Sequence, residues 1–201
     1  MKSFLAIDSS TSEPSLSLFI KGEHKESLNI KNQKSSALAY SLNLILKKNS
    51  IKINDFEYIA ISIGPGTFTG IRVGLSLAQG LAFAAKLSIV PINLMDVLHS
   101  QLNSNDSGIL AIYAYKDLAY VSNIKSDNRM IELQDINLLS NKKIYGIGLN
   151  QYKSIIDYTP LSFSSRELAE YSIKSYKALV TKNIDSIEPL YLNEYNRNIQ
   201  L

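Results

Sequence analysis

The sequence predicts an α/β protein built from two stacked βββαβα-type lobes. Residues 4–30 and 109–133 each read as three short strands joined by tight turns. Each triplet is followed by segments that alternate between helical and strand periodicity. Between the two patterns lies the polar stretch Asn103-Ser104-Asn105-Asp106-Ser107-Gly108, which divides the chain into lobes of residues 1–103 and 104–201.

In the first lobe, Phe4 to Asp8 is an apolar run that ends in a carboxylate. Leu16, Leu18 and Ile20 alternate with Ser15, Ser17 and Phe19, the period-two signature of a strand. Lys21-Gly22-Glu23 turns the chain, and Glu26 to Ile30 returns it. From Ser35 to Asn49 the period changes: Leu38, Leu42, Ile45 and Leu46 fall on one helical face, and Lys47-Lys48 suit the negative end of the helix dipole. Tyr58 to Ile63 is strand-like, Gly64-Pro65-Gly66 breaks it, and Thr67 is placed to cap a helix running to Ala85. A short strand, Ser88 to Pro91, and a short helix, Leu94 to Leu102, complete the lobe.

The second lobe begins with strands over Ile109–Tyr115, Leu118–Ile124 and Arg129–Leu133. A buried strand is expected at Ile144–Gly148 and a helix near Asn150–Ile156. Ser164-Ser165-Arg166-Glu167 reads as a capping box. The helix it opens carries Ala169, Ile173, Tyr176 and Val180 on one face, and Pro189–Leu192 reads as a last strand.

Composition excludes several classes of chemistry. The 201 residues carry 21 basic and 18 acidic side chains, a net charge of +3, and only four of the basic ones are Arg. The arginine forks that read bases and clamp phosphates are therefore scarce. The absence of Cys removes thiol catalysis and cysteine-ligated metals. The two histidines, His24 and His99, stand in no ligand-spaced motif. The N-terminal apolar run is too short for a signal peptide, and Arg72 and Lys86 interrupt the most apolar region, Tyr58–Ile92. No membrane span is expected, and a cytoplasmic protein is.

Two segments carry candidate chemistry. Gly64, Gly66 and Thr67 lie where a strand turns into a helix, so backbone N–H groups and the helix dipole would face an anion there. Asp8 and Thr11, at the end of the first strand, suit a metal-bound phosphate. Together these five residues form a candidate vestigial phosphate site. The same residues also read as a tight corner and an Asx turn without a ligand. Neither a P-loop nor Gly-x-Gly-x-x-Gly is present.

Helix 67–85 is apolar on nearly every side and has Gly70, Gly74 and Ala78 at four-residue spacing. An all-round apolar helix is covered on two sides. One expectation is that another subunit covers one side, with Leu38, Leu42, Ile45, Gly70, Gly74 and Ala78 as interface residues; the alternative is burial wholly between the chain's own sheet and helix 35–49.

The segments 4–11 (FLAIDSST), 63–75 (IGPGTFTGIRVGL), 78–82 (AQGLA) and 189–192 (PLYL) resemble the bacterial TsaB (YeaZ) family. The resemblance spans most of the chain and is densest in residues 1–92. It implies an actin-like, two-lobed ASKHA (ribonuclease H-like) fold. It also implies a non-catalytic role in forming threonylcarbamoyladenosine in tRNAs that read codons starting with A. The implied partners are a TsaD-like paralogue, which carries the metal-binding histidines and the transfer chemistry, and a TsaE-like ATPase. A homodimer is implied when the chain is alone. No cofactor is expected to be held firmly by the chain alone, and a place for ATP or ADP is expected only in the complex. Two departures are plain. Ser35 stands where the family usually has His, and residues 113–120 (YAYKDLAY) keep little of the family's Asp-Ala-Arg-x-x-Glu-Val-Tyr pattern. The chain is also short for the family, so a trimmed second lobe is expected.

The alternative is a small ATP-dependent kinase of the same superfamily. It would need a second phosphate loop, for which Gly146-Ile147-Gly148 is the candidate. A glycopeptidase-like metalloenzyme would need convergent ligands that the sequence does not group.

Overall fold

The computed structural model describes residues 2–31, 35–125 and 131–190. Strands β1 (Phe4–Asp8), β2 (Ser15–Ile20) and β3 (Glu23–Asn29) form an antiparallel meander. Helix α1 (Ser35–Lys48) follows, then β4 (Tyr58–Gly64), helix α2 (Phe68–Ala85), β5 (Ser88–Asn93) and helix α3 (Leu94–His99). The second half contains β6 (Ile109–Tyr115), β7 (Leu118–Asn123), β8 (Glu132–Asp135), β9 (Ile144–Ile147), β10 (Tyr158–Pro160) and helix α4 (Ser165–Leu179).

The two five-stranded sheets repeat one topology. The first has the order β3-β2-β1-β4-β5 and the second the order β8-β7-β6-β9-β10. In each, the first strand pairs antiparallel with the second and parallel with the fourth. The element order expected from sequence thus has a structural counterpart in matched strand order.

Alternation along the strands divides the first sheet cleanly. Leu5, Ile7, Leu16, Leu18, Ile59, Ile61 and Ile89 face α1 and α2. Phe4, Ala6, Phe19, Tyr58, Ala60, Val90 and Ile92 face the other way, onto Leu168 and Ala169 of α4. On that side the Phe4 ring stacks on Phe19 and Tyr58, with centroids 4.8 and 4.4 Å apart. Helix α4 therefore crosses back from the second half to cover the first sheet. The second sheet is covered on one face by Ile136, Leu139, Leu149 and Ile156, from short turns. On the other it meets Leu94, Met95 and Leu98 of α3, whose Val97 reaches the first sheet. Helix α3 is thus shared between the sheets.

Several expectations need correction. The helix expected at Asn150–Ile156 is a single 3₁₀ turn, Asn150–Tyr152. β10 was not expected, because three residues carry no readable period. α3 stops at His99 rather than Leu102. Ile173, assigned to the inner face of α4, is exposed; Ser165, Leu168, Ala169 and Ser172 are the buried residues. Of the expected strands, residues 129–130 and Tyr191–Leu192 lie outside the described residues. Pro189 and Leu190 are not in a strand, although Leu190 N–H donates to Ile63 O at 2.8 Å.

The expected interface set is also corrected. Leu38, Leu42, Ile45 and Ala78 lie in the chain's own core, packed between the helices and the first sheet. Gly70 and Gly74 face the loop after β1. A β-carbon on Gly70 would lie 2.0 Å from Ser9 O, and one on Gly74 2.1 Å from Ser9 Oγ. The stripe of small residues is therefore an internal seat that lets α2 approach the sheet closely. By length and composition α2 would also cross a membrane, yet Ile71, Leu75, Ala78 and Ala82 are buried against this chain.

Gly80 is the contrast, with nothing within 4 Å of its added β-carbon. Gly80→Ala should therefore raise stability by about 0.5–1 kcal/mol, the helix-propensity gain. Gly70→Ala should lower it by about 1–3 kcal/mol through overpacking against a backbone carbonyl. Urea midpoints at constant m-value measure both. A Gly70→Ala protein as stable as the parent would contradict the internal seat.

Candidate functional site: the loop after β1 and the helices beside it

β1 ends between two neighbouring strands, so the loop that follows, Asp8-Ser9-Ser10-Thr11, is enclosed by β4 and the start of α2. Asp8 is wholly buried. Its Oδ1 accepts from Ser10 N–H at 3.0 Å and from the Ser10 hydroxyl at 2.6 Å, and its Oδ2 accepts from the Thr11 hydroxyl at 3.0 Å. The Ser62 hydroxyl, on β4, donates in turn to Ser10 Oγ at 3.0 Å. Burial pushes the Asp8 carboxyl above its ordinary value, and the hydrogen bonds from Ser10 and Thr11 only partly oppose that.

The structure brings the five expected phosphate-site residues to one place. The Gly64-Pro65-Gly66 turn, with a cis bond at Pro65, packs against the same loop. Gly66 approaches so closely that a β-carbon would lie 2.1 Å from Ser10 O. Thr67 occupies the N-cap position of α2 with an extended backbone, but its side chain makes no cap hydrogen bond. Its N–H donates instead to Ser10 O at 2.8 Å. The Thr67 N–H, which an anion at the helix start would use, is thus bound to the chain itself.

Beside this loop the two halves enclose a cleft of about 320 Å³. Ser10, Thr11, Ser12, Glu13 and Thr67 line one side; Ile112, Tyr113, Ala114, Ile147, Gly148, Asn150, Leu161 and Phe163 line the other. Glu13 is the one charged residue in that lining, and it is an anion. A polyphosphate finds no cation among these residues. Gly148, from the candidate second phosphate loop, is there with φ of 77°, but it packs on Tyr113.

The histidines stand apart from this site. His24 is exposed on β3, with Nε2 2.8 Å from Ser27 Oγ. His99 is buried at the end of α3, 3.3 Å from Ser122 Oγ.

The residues that sequence reasoning missed lie on the outer faces of α1 and α2. Tyr40, Leu44, Phe68 and Phe83 are 63%, 46%, 56% and 80% exposed. The Arg72 guanidinium lies 3.8 Å from the centre of the Phe68 ring. Half of the large exposed apolar side chains among the described residues thus lie on these two adjacent helices. The available signal was positional: these residues lie on the sides of α1 and α2 away from Leu42 and Gly74.

The family model described as TsaD, tRNA N6-adenosine threonylcarbamoyltransferase, matches residues 9–172. The chain belongs to that family, in its TsaB (YeaZ) branch. The tRNA threonylcarbamoyladenosine biosynthesis protein TsaB of Haemophilus influenzae is 26% identical, over 94% of this chain and 92% of its own length. The TsaB of Buchnera aphidicola subsp. Baizongia pistaciae is 33% identical over 56% of this chain and 52% of its own. A tRNA N6-adenosine threonylcarbamoyltransferase of Saccharolobus islandicus is 42% identical over a shorter stretch, 26% of this chain and 16% of that enzyme. YeaZ from Pseudomonas aeruginosa superimposes with a TM-score of 0.71 at 19% identity, over 96% of this chain and 100% of that one. That likeness shows the fold, the actin-like ASKHA architecture of two mixed five-stranded sheets.

The buried Asp8 gives this site a pH signature. A carboxyl raised in the folded state binds its proton more tightly there than in the unfolded chain. Its contribution to stability is therefore largest below the ordinary value of about 3.9 and declines as pH rises through the raised value. Relative to Asp8→Asn, the parent should lose up to about 1.4 kcal/mol per pH unit across that window. Denaturation from pH 3 upward tests this, and a parent that gains on Asp8→Asn would contradict it.

Proposed function

We propose that this chain is a partner subunit in the formation of threonylcarbamoyladenosine in tRNAs that read codons starting with A. In this reading it pairs with a TsaD-type transferase, which carries the transfer chemistry, and does not itself catalyse. The exposed aromatic face of α1 and α2 is the observation that carries the reading. Its location suits pairing between paralogues, because related chains that meet through equivalent helices form a pseudo-symmetric contact. The same surface serves a homodimer when the chain is alone. A TsaE-type ATPase joins the pair, and any ATP or ADP belongs to the assembly. Cytoplasmic location goes with this role.

The lack of independent catalysis is supported by Asp8. The carboxylate best placed for chemistry in this fold is buried and bonded to Ser10 and Thr11. A kinase reading would need cations near the cleft, and the cleft lining supplies Glu13 instead.

Phe83→Glu and Leu44→Glu should each weaken binding to a TsaD-type transferase by about 100-fold, about 2.7 kcal/mol, as expected at an interface hot spot. Neither side chain is in the core, so melting should change little. Leu138→Glu, on an exposed residue of the second half, should leave both unchanged. Titration calorimetry with the reconstituted pair measures the effect. Parent-like binding by both α1 and α2 variants would refute this surface.

A further inference from the structure

We propose that Asp8 is a positioning residue for the docking helix. It fixes the loop on which the first turn of α2 is seated, and the role depends on its shape and acceptor atoms rather than its charge. The proposal rests on the reading that the outer face of α2 meets a partner.

The chain of contacts is short. Asp8 Oδ1 holds both the N–H and the hydroxyl of Ser10, and Oδ2 holds the Thr11 hydroxyl. The two residues after Asp8 then grip α2 at successive points. Ser10 O accepts from Thr67 N–H at 2.8 Å, just before the helix begins. The Ser9 hydroxyl donates to Gly70 O at 2.7 Å, in the first turn. Gly66 and Gly70 let these contacts close, because a β-carbon on either would lie within 2.1 Å of the loop's carbonyl oxygens. Ser62 ties the loop to β4 from the other side.

Phe68 leaves the outward side of this same first turn, and Arg72, one turn on, lies over its ring. A turn free to shift would present them in many arrangements, and ordering them would then cost affinity at docking. A turn held by Ser9 and Ser10 presents them already placed. This is a different use of Asp8 from holding a metal or phosphate, which would require its negative charge. The clamp requires an acceptor toward Ser10 and a partner for the Thr11 hydroxyl. An asparagine supplies both, since its amide oxygen accepts from Ser10 and its NH₂ donates to Thr11 Oγ1.

The test compares Asp8→Ala and Asp8→Asn in the full chain by two readouts. One is amide hydrogen exchange at residues 67–71 of the free protein, with α4 amides as the internal reference. The other is affinity for a TsaD-type transferase. Asp8→Ala should speed exchange at residues 67–71 at least tenfold, leave α4 unchanged, and weaken binding at least tenfold. Asp8→Asn should stay within threefold of the parent in both. Asn as damaging as Ala would overturn the proposal, because charge would then be the requirement. Faster exchange with unchanged affinity, or lost affinity with unchanged exchange, would overturn it as well. If Asp8→Ala does not fold, Ser9→Ala removes one grip alone; unaltered exchange and affinity in that variant would also refute the clamp. A parent chain that binds no transferase would instead overturn the docking reading of α2, and exchange in the free chain would still decide whether Asp8 holds the loop.

Discussion

The close seat of α2 on the loop after β1 is the constraint on which the rest depends. Ser9 and Ser10 present carbonyl oxygens and a hydroxyl where ordinary side chains would stand, so the turn must offer glycine at 66 and the helix glycine at 70 and 74. Once that face is turned inward, the geometry of a helix places Phe68 and Phe83 outward. An apolar helix is thereby committed to two surfaces: one filled by this chain's sheet and one left for something else. The inner surface explains how the chain tolerates glycines within a helix. The outer one explains aromatic rings in contact with water.

Matched strand order in the two sheets records one topology used twice, but the halves are not equals. The first sheet is covered on both faces by helices, α1 and α2 on one side and α4 on the other. The second has one face closed largely by short turns. The lining of the cleft between them is hydroxyls, apolar side chains, one amide and a single carboxylate. Within the loop beside it, Asp8, Ser10 and Thr11 bind one another, and the same loop seats the start of α2. The chain's matches include both TsaB proteins and a tRNA N6-adenosine threonylcarbamoyltransferase.

Much of the fold was legible in the sequence. Period-two alternation in Leu16–Ile20 gave β2, and helical spacing of Leu38, Leu42 and Ile45 gave α1, although these residues, expected at an interface, fill the chain's own core. Ser164 does cap α4, accepting from Arg166 N–H at 3.1 Å and donating its hydroxyl to Glu167 at 2.6 Å. The facing of α2 was not legible, because a helix apolar all round has no preferred inside; only the Ser9 contact decides it. Thr67 looked like a side-chain cap, but the tertiary acceptor Ser10 O took the role of orienting that residue's N–H. Ile173 misled because its spacing from Ala169 fits a helix stripe, whereas the sheet selects Leu168, Ala169 and Ser172. The candidate site was legible as a cluster of residues but not as chemistry, since hydrogen bonds that satisfy Asp8 internally leave no trace in sequence spacing.

On the proposed reading, a TsaD-type partner sits on the outer face of α1 and α2. Hydroxyl-radical footprinting of the chain, free and mixed with such a transferase, tests it most directly. Labelling of Tyr40, Phe68 and Phe83 should fall sharply on complex formation, while Leu138, exposed on the other half, keeps its labelling. A stable complex in which Tyr40, Phe68 and Phe83 remain as reactive as in the free chain would contradict the account.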